Sequence, residues 1–232
     1  MRLQYKNFDI ELLKNDFIKR HYECLPFIGE KYEDSRLLLI GESHYVPKDE
    51  VHCVDIDDFY DVSFDDLAEG KYKNWINTRK VFESRVYDKC DFKGFFSNPA
   101  TEIAKIINHI ENLSQNQRIS AMHQYAFMNY FKRPSYDTGK TIDKLTEIDY
   151  MYAYDISSCI IEALKPTLII FLSKKAYCAF CNSDQNGRLK SKYTVKYVSH
   201  PSSCWWNRKR KDGRCAKQDF YDYVSAILID NN

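Results

Sequence analysis

At 232 residues with 44% hydrophobic content, the chain is long enough to bury the core of one sizeable α/β domain. Its 34 Lys and Arg against 33 Asp and Glu leave a net charge of +1, so a polyanionic partner must be met by a local basic patch, not by the bulk field. No apolar run is long enough to span a bilayer and the first residues are mixed, so the expectation is a cytoplasmic monomer without membrane contact, its eight cysteines reduced.

In chain order, the first strong element is the apolar run Leu37–Ile40, which breaks off in Gly41-Glu42-Ser43-His44-Tyr45. This is how a buried parallel strand delivers functional groups to its carboxyl end. Residues 47–90 interrupt the rhythm with His52, an acidic cluster from Asp55 to Asp66, and Trp75; they read as an insertion against the rim of a site. A helix is expected to open at Pro99, capped by Ser97-Asn98. A second strand, Tyr125–Met128, ends in Asn129; a helix follows from Asp143 to Leu164, stopped by Pro166. Strands at Leu168–Leu172 and Thr194–Val198 and a closing helix, Ala216–Ile229, complete the alternation. The pattern predicts one three-layer domain over residues 1–232, its central four-stranded sheet mainly parallel with helices on both faces.

Functional groups gather at the strand ends. Gly41 lets backbone approach closely, and Glu42 and His44 can activate a water or pair with a phosphate. Asn129 offers a donor and an acceptor side by side, as the edge of a nucleic-acid base requires. The last strand runs into His200-Pro201-Ser202-Ser203, where an imidazole can donate to charge developing on a leaving group. Next come Trp205 and Trp206, then Arg208, Lys209, Arg210 and Lys211, an apolar wedge beside phosphate-binding cations. A polar strand-to-loop transition and a solvated basic loop are the plain alternatives. The Cys178 and Cys181 pair reads as a buried thiol pair; a metal site would need further ligands such as Cys204 and Cys215.

Taken together, the order Gly41-Glu42-Ser43-His44-Tyr45, Phe95-Phe96-Ser97-Asn98, Phe127-Met128-Asn129, Ile169 to Ala176, and His200-Pro201-Ser202-Ser203 resembles the motif order of the uracil-DNA glycosylase superfamily. The resemblance is one of pattern over roughly residues 36 to 225. It implies a flipped base stacked on Phe95 or Phe96 and read by Asn129, with Gly41 and Tyr45 lining its pocket. His200 would stabilise the departing base while Glu42, Ser43 and His44 position water. Trp205 or Trp206 would fill the gap in the duplex, with Ser202, Ser203 and the basic residues on its backbone, DNA being favoured over RNA. No metal or cofactor is implied. Ser43 stands where the most active branch carries Asp, and His44 where it carries Pro, so the resemblance points to a base other than ordinary uracil.

Two other readings share these residues. One is an α/β serine hydrolase, in which Ser43, Asp155 and His200 follow the order nucleophile, acid, base, although Tyr45 replaces the final Gly of the elbow. The other is a non-catalytic nucleic-acid or nucleotide binder on the same fold.

Overall fold

Side-chain alternation in the strands decides the layers. In β2 (Leu37–Gly41), Leu37 and Leu39 face one way and Leu38 and Ile40 the other, and all four are at most 1% exposed. A strand buried on both faces must lie between two layers of helices. The computed structural model describes residues 6–46, 58–67, 72–88, 92–135 and 141–229, and shows that arrangement.

Among the described residues the sheet has five strands in the order β1-β3-β2-β4-β5. Four correspond to the expected set: β2, β3 (Tyr125–Asn129), β4 (Leu168–Phe171) and β5 (Thr194–Tyr197), all paired in parallel. The fifth is β1 (Phe27–Ile28), antiparallel to β3, which makes the sheet mixed. Two residues give too little alternation to register as a strand by pattern alone. The expectation that Thr194–Val198 sits at the centre is corrected as well: β5 is an edge strand, with exposed Thr194, Lys196 and Tyr197.

One face of the sheet, with Leu38, Ile40, Met128, Ile169 and Phe171, packs on α9 (Glu147–Leu164) and α10 (Lys174–Ser183). The other, with Leu37, Leu39, Phe127, Leu168 and Ile170, packs on α7 (Ser97–Asn108), α8 (Gln115–Ala121) and α11 (Ala216–Leu228). Helix α9 begins later than the expected Asp143 because Thr146 and Asp149 form a capping box there, and it ends with Lys165 in the left-handed region at φ 49°. Helix α7 begins at Ser97, so Ser97 and Asn98 lie inside its first turn and do not cap it. The Ser97 hydroxyl instead accepts from Arg118, and the Asn98 amide donates to Pro201 O at 2.7 Å.

The described parts of the segment read as an insertion, a turn at Phe59 followed by short helices, complete the core. Phe59, with Phe64 and Leu67 of α4 (Phe64–Leu67) and Ile76 of α5 (Tyr72–Ile76), joins the first face, while Phe82 and Val86 of α6 (Thr78–Val86) join the second. His52 and Asp55 lie outside the described residues. The Cys178 and Cys181 pair is not a buried one: Cys178 is exposed and Cys181 half-buried, while Cys215 is buried at the start of α11, where its N donates to Gln218 Oε1 at 3.0 Å. Among the described residues no helix is long and apolar enough to cross a membrane.

Candidate functional site

The strand order sets where a ligand can sit. From β2 the chain crosses to β3 on one side, then returns past β2 to β4 on the other, so the carboxyl end of β2 is a topological switch point. Beyond the strands the pairing continues, Tyr130 N donating to Gly41 O at 3.1 Å, Phe131 N to Glu42 O at 2.9 Å and Ser135 N to His44 O at 2.7 Å. The functional turn after β2 is thus held against the turn after β3.

Gly41 leaves room for two side chains. A Cβ there would lie 2.5 Å from Asn129 Oδ1 and 2.7 Å from Phe127 Cζ. The Asn129 amide therefore rests on the bare Gly41 backbone, on the same face as Phe127 two residues earlier. Phe95 meets Phe127 edge-on at 5.5 Å and stacks on His200 at 5.1 Å and 24°. Gly41, Phe95, Phe127, Asn129 and His200 form one chain of contacts on the α7/α11 side. Phe95, expected to receive a base, has one ring face on the His200 imidazole. Phe96 meets Phe95 edge-on at 5.2 Å and also packs against Phe82, with the Arg85 guanidinium 4.5 Å over its ring.

His200 has a defined protonation state. Ser202 N donates to its Nδ1 at 3.2 Å, so Nδ1 is the bare nitrogen and Nε2 carries the proton. Burial lowers its pKa below the ordinary imidazole value, with the Glu42 carboxylate opposing, and the ring is neutral near pH 7. Ser203 Oγ and N both hold His200 O, at 2.7 and 2.9 Å. The result is a fixed, neutral Nε2–H donor.

Glu42 lies towards the α9/α10 side. Its Oε1 accepts from the Thr141 hydroxyl and, at 2.8 Å, from Ile142 N; its Oε2 accepts from Ser173 Oγ at 2.5 Å. A carboxylate has about four lone-pair positions, so one remains for a water. Ser173 also caps α10, and Lys175 donates to Ile142 O, which straps residues 141–142 to that helix. These partners of Glu42 had no signature in the sequence.

Ser43 is 6% exposed, and its Oγ has no hydrogen-bond partner among the described residues. His44 Nε2 pairs with Thr78 Oγ1 of α6 at 2.9 Å; burial, aided by the Lys132 cation, drives its pKa down to about 4. The half-buried His44 ring is therefore neutral near pH 7 and brings no positive charge to the site. Tyr45 bridges to Ser135 and its phenol is raised by burial and by Glu42. Lys132, 4% exposed, donates to Asn129 O at 2.7 Å and to Ser157 Oγ at 3.2 Å, and burial lowers it to about 8.

The loop after His200 divides. Trp206 is 1% exposed and packs on Phe220 of α11, so it is core and not a wedge. Trp205 is 53% exposed with the Arg208 guanidinium 4.5 Å above its ring. Arg208, Lys209 and Lys211 are exposed, whereas Arg210 is bound to Asp219 at 2.5 Å and Asp212 at 3.4 Å. The charge of Arg210 is thereby partly offset within the loop.

A hydrolase triad is not assembled. Ser43 Oγ makes no bond to His200, whose Nδ1 accepts from backbone and so cannot donate to an acid. Asp155 lines a separate groove of about 510 Å³ beside α9 with Glu11, Cys159, Glu162 and Arg188. Comparison with protein-family models and with curated proteins gives no match to either.

Proposed function

We propose that the chain hydrolyses the N-glycosidic bond of a base turned out of a nucleic-acid strand, DNA before RNA, on a uracil-DNA glycosylase-like arrangement of strands. The observation that carries the reading is the neutral His200 with its Nε2–H fixed by Ser202 N. As the bond stretches, the base gains negative charge, and a neutral donor already oriented strengthens its hydrogen bond without moving a proton. Asn129, lying on Gly41 beside Phe127, supports recognition of the base edge. Water would come from the opposite side, where the remaining lone pair of Glu42 and the unpaired Ser43 Oγ can orient it. Trp205, with Arg208, Lys209 and Lys211, supports contact with unstacked strand and phosphate.

The test is base release from single-stranded and duplex oligonucleotides carrying uracil and a panel of modified bases. Release slowed roughly a hundredfold in His200→Ala supports the proposal; no release from any substrate overturns it. A second reading, a non-catalytic nucleic-acid binder, is favoured by one observation: three donors already occupy Glu42. Tight binding across the panel without release is its signature.

A further inference from the structure

By sequence Asn98 looks like a helix cap, yet its side chain leaves α7 and donates through Nδ2 to Pro201 O, 103 positions away, at 2.7 Å. That carbonyl belongs to the same peptide unit as Ser202 N–H, the group that donates to His200 Nδ1 at 3.2 Å. A peptide unit is planar, and in the trans form its C=O and N–H point in opposite directions. A donor gripping the oxygen therefore aims the hydrogen. We infer that Asn98 is a positioning residue that, by holding the Pro201 carbonyl, turns the Ser202 N–H onto His200 Nδ1 and so sets the tautomer in which His200 presents Nε2–H.

Three further observations fit this relay. Gly94, at φ +53°, sits where a Cβ would be 3.0 Å from Ser202 Oγ, so the turn before α7 is laid against the His200 turn. Phe95 in that turn stacks on the imidazole, and Asn98 N closes the turn onto Gly94 O at 2.9 Å. Asn98 thus binds the segment carrying the stacking ring to the segment carrying the histidine. Only an amide or other donor serves: a carboxylate would set two acceptor oxygens against each other and drive the peptide to rotate. A protonated Nδ1 would also face the Ser202 N–H donor to donor, which adds to the preference for the neutral ring.

The consequence for turnover rests on the proposed function; the tautomer does not, so the two can fail separately. Long-range proton–nitrogen correlation spectra of the full chain assign the His200 tautomer and its pKa in wild type, Asn98→Ala, Asn98→Asp and Ser203→Ala. Ser203→Ala removes one bond to His200 O but leaves the relay intact, and controls for general loosening of the turn. Wild type and Ser203→Ala are expected to hold the Nε2–H form. Asn98→Ala should mix the tautomers and raise the pKa by about one unit, and Asn98→Asp should do so more strongly. If Asn98→Ala melts the protein, the Asn98→Asp to wild-type comparison under folded conditions decides. An unchanged tautomer in folded Asn98 variants, or an equal change in Ser203→Ala, overturns the inference. Where base release is present, Asn98→Ala should lower kcat at least about tenfold with KM little changed, because the donor is misdirected, not removed. A tautomer change in a protein that releases no base would leave the relay standing and the proposed function overturned.

Discussion

His44 and His200 are both neutral near pH 7, for different uses. His200 is fixed at a strand end by backbone, while His44 is folded inward onto Thr78 with the Lys132 cation nearby. A histidine whose folded pKa is about 4 binds fewer protons than its unfolded form, near 6.5, at every pH between the two. Stability from His44 is therefore complete above about pH 6.5 and lost as pH falls towards 4, by no more than roughly 3 kcal/mol. His44→Gln, which keeps a hydrogen-bonding partner for Thr78, should flatten the acid limb of a denaturant-derived stability profile between those values. An unchanged acid limb would place the proton elsewhere, for instance on His123, also lowered by burial.

Among the elements, the loop between β5 and α11 carries two adjacent indoles with opposite fates. Trp206→Ala removes a fully buried ring from the Phe220 contact and should cost about 3–5 kcal/mol by urea denaturation. Trp205→Ala should leave stability within about 0.5 kcal/mol while weakening affinity for single-stranded oligonucleotide, since base stacking on an indole is worth about 1–3 kcal/mol. Replacing Arg208, Lys209 and Lys211 should lower the slope of log affinity against log salt by up to about 0.7–0.9 each, and Arg210 much less because Asp219 and Asp212 hold it. Equal salt responses for Arg208 and Arg210 would show that the ion pairs open on binding. Sequence made β2, β3, β4 and α9 legible because apolar runs and caps are local signals. It missed β1, which is two residues of antiparallel edge, and it misread Ser97-Asn98, since a polar pair before Pro99 looks like a cap whichever way its side chains turn. The partners of Glu42 and the bond from Thr78 to His44 join residues up to 131 apart, and no spacing rule reports such contacts.

For the whole molecule, what matters is that the sheet separates two kinds of chemistry at one edge. Glu42 reaches the α9 and α10 layer through Ile142 and Ser173, whereas Phe95, Asn129 and His200 belong with the α7 and α11 layer. Displacement at an anomeric carbon has the same two-sided demand, with water entering on the face away from the departing base. If His200 serves that departure, its contribution exists mainly when the base carries charge. His200→Ala should then lose on the order of 3 kcal/mol of transition-state stabilisation, seen as a roughly hundredfold slower single-turnover rate, with oligonucleotide affinity nearly unchanged. Glu42→Gln keeps the acceptor for Ile142 N but loses the charge, so it should slow release and, by removing the carboxylate that opposes burial, lower the His200 pKa further. Parallel losses of affinity and rate in His200→Ala would assign the histidine to holding the Phe95 turn, because a structural stack supports bound and reacting states alike.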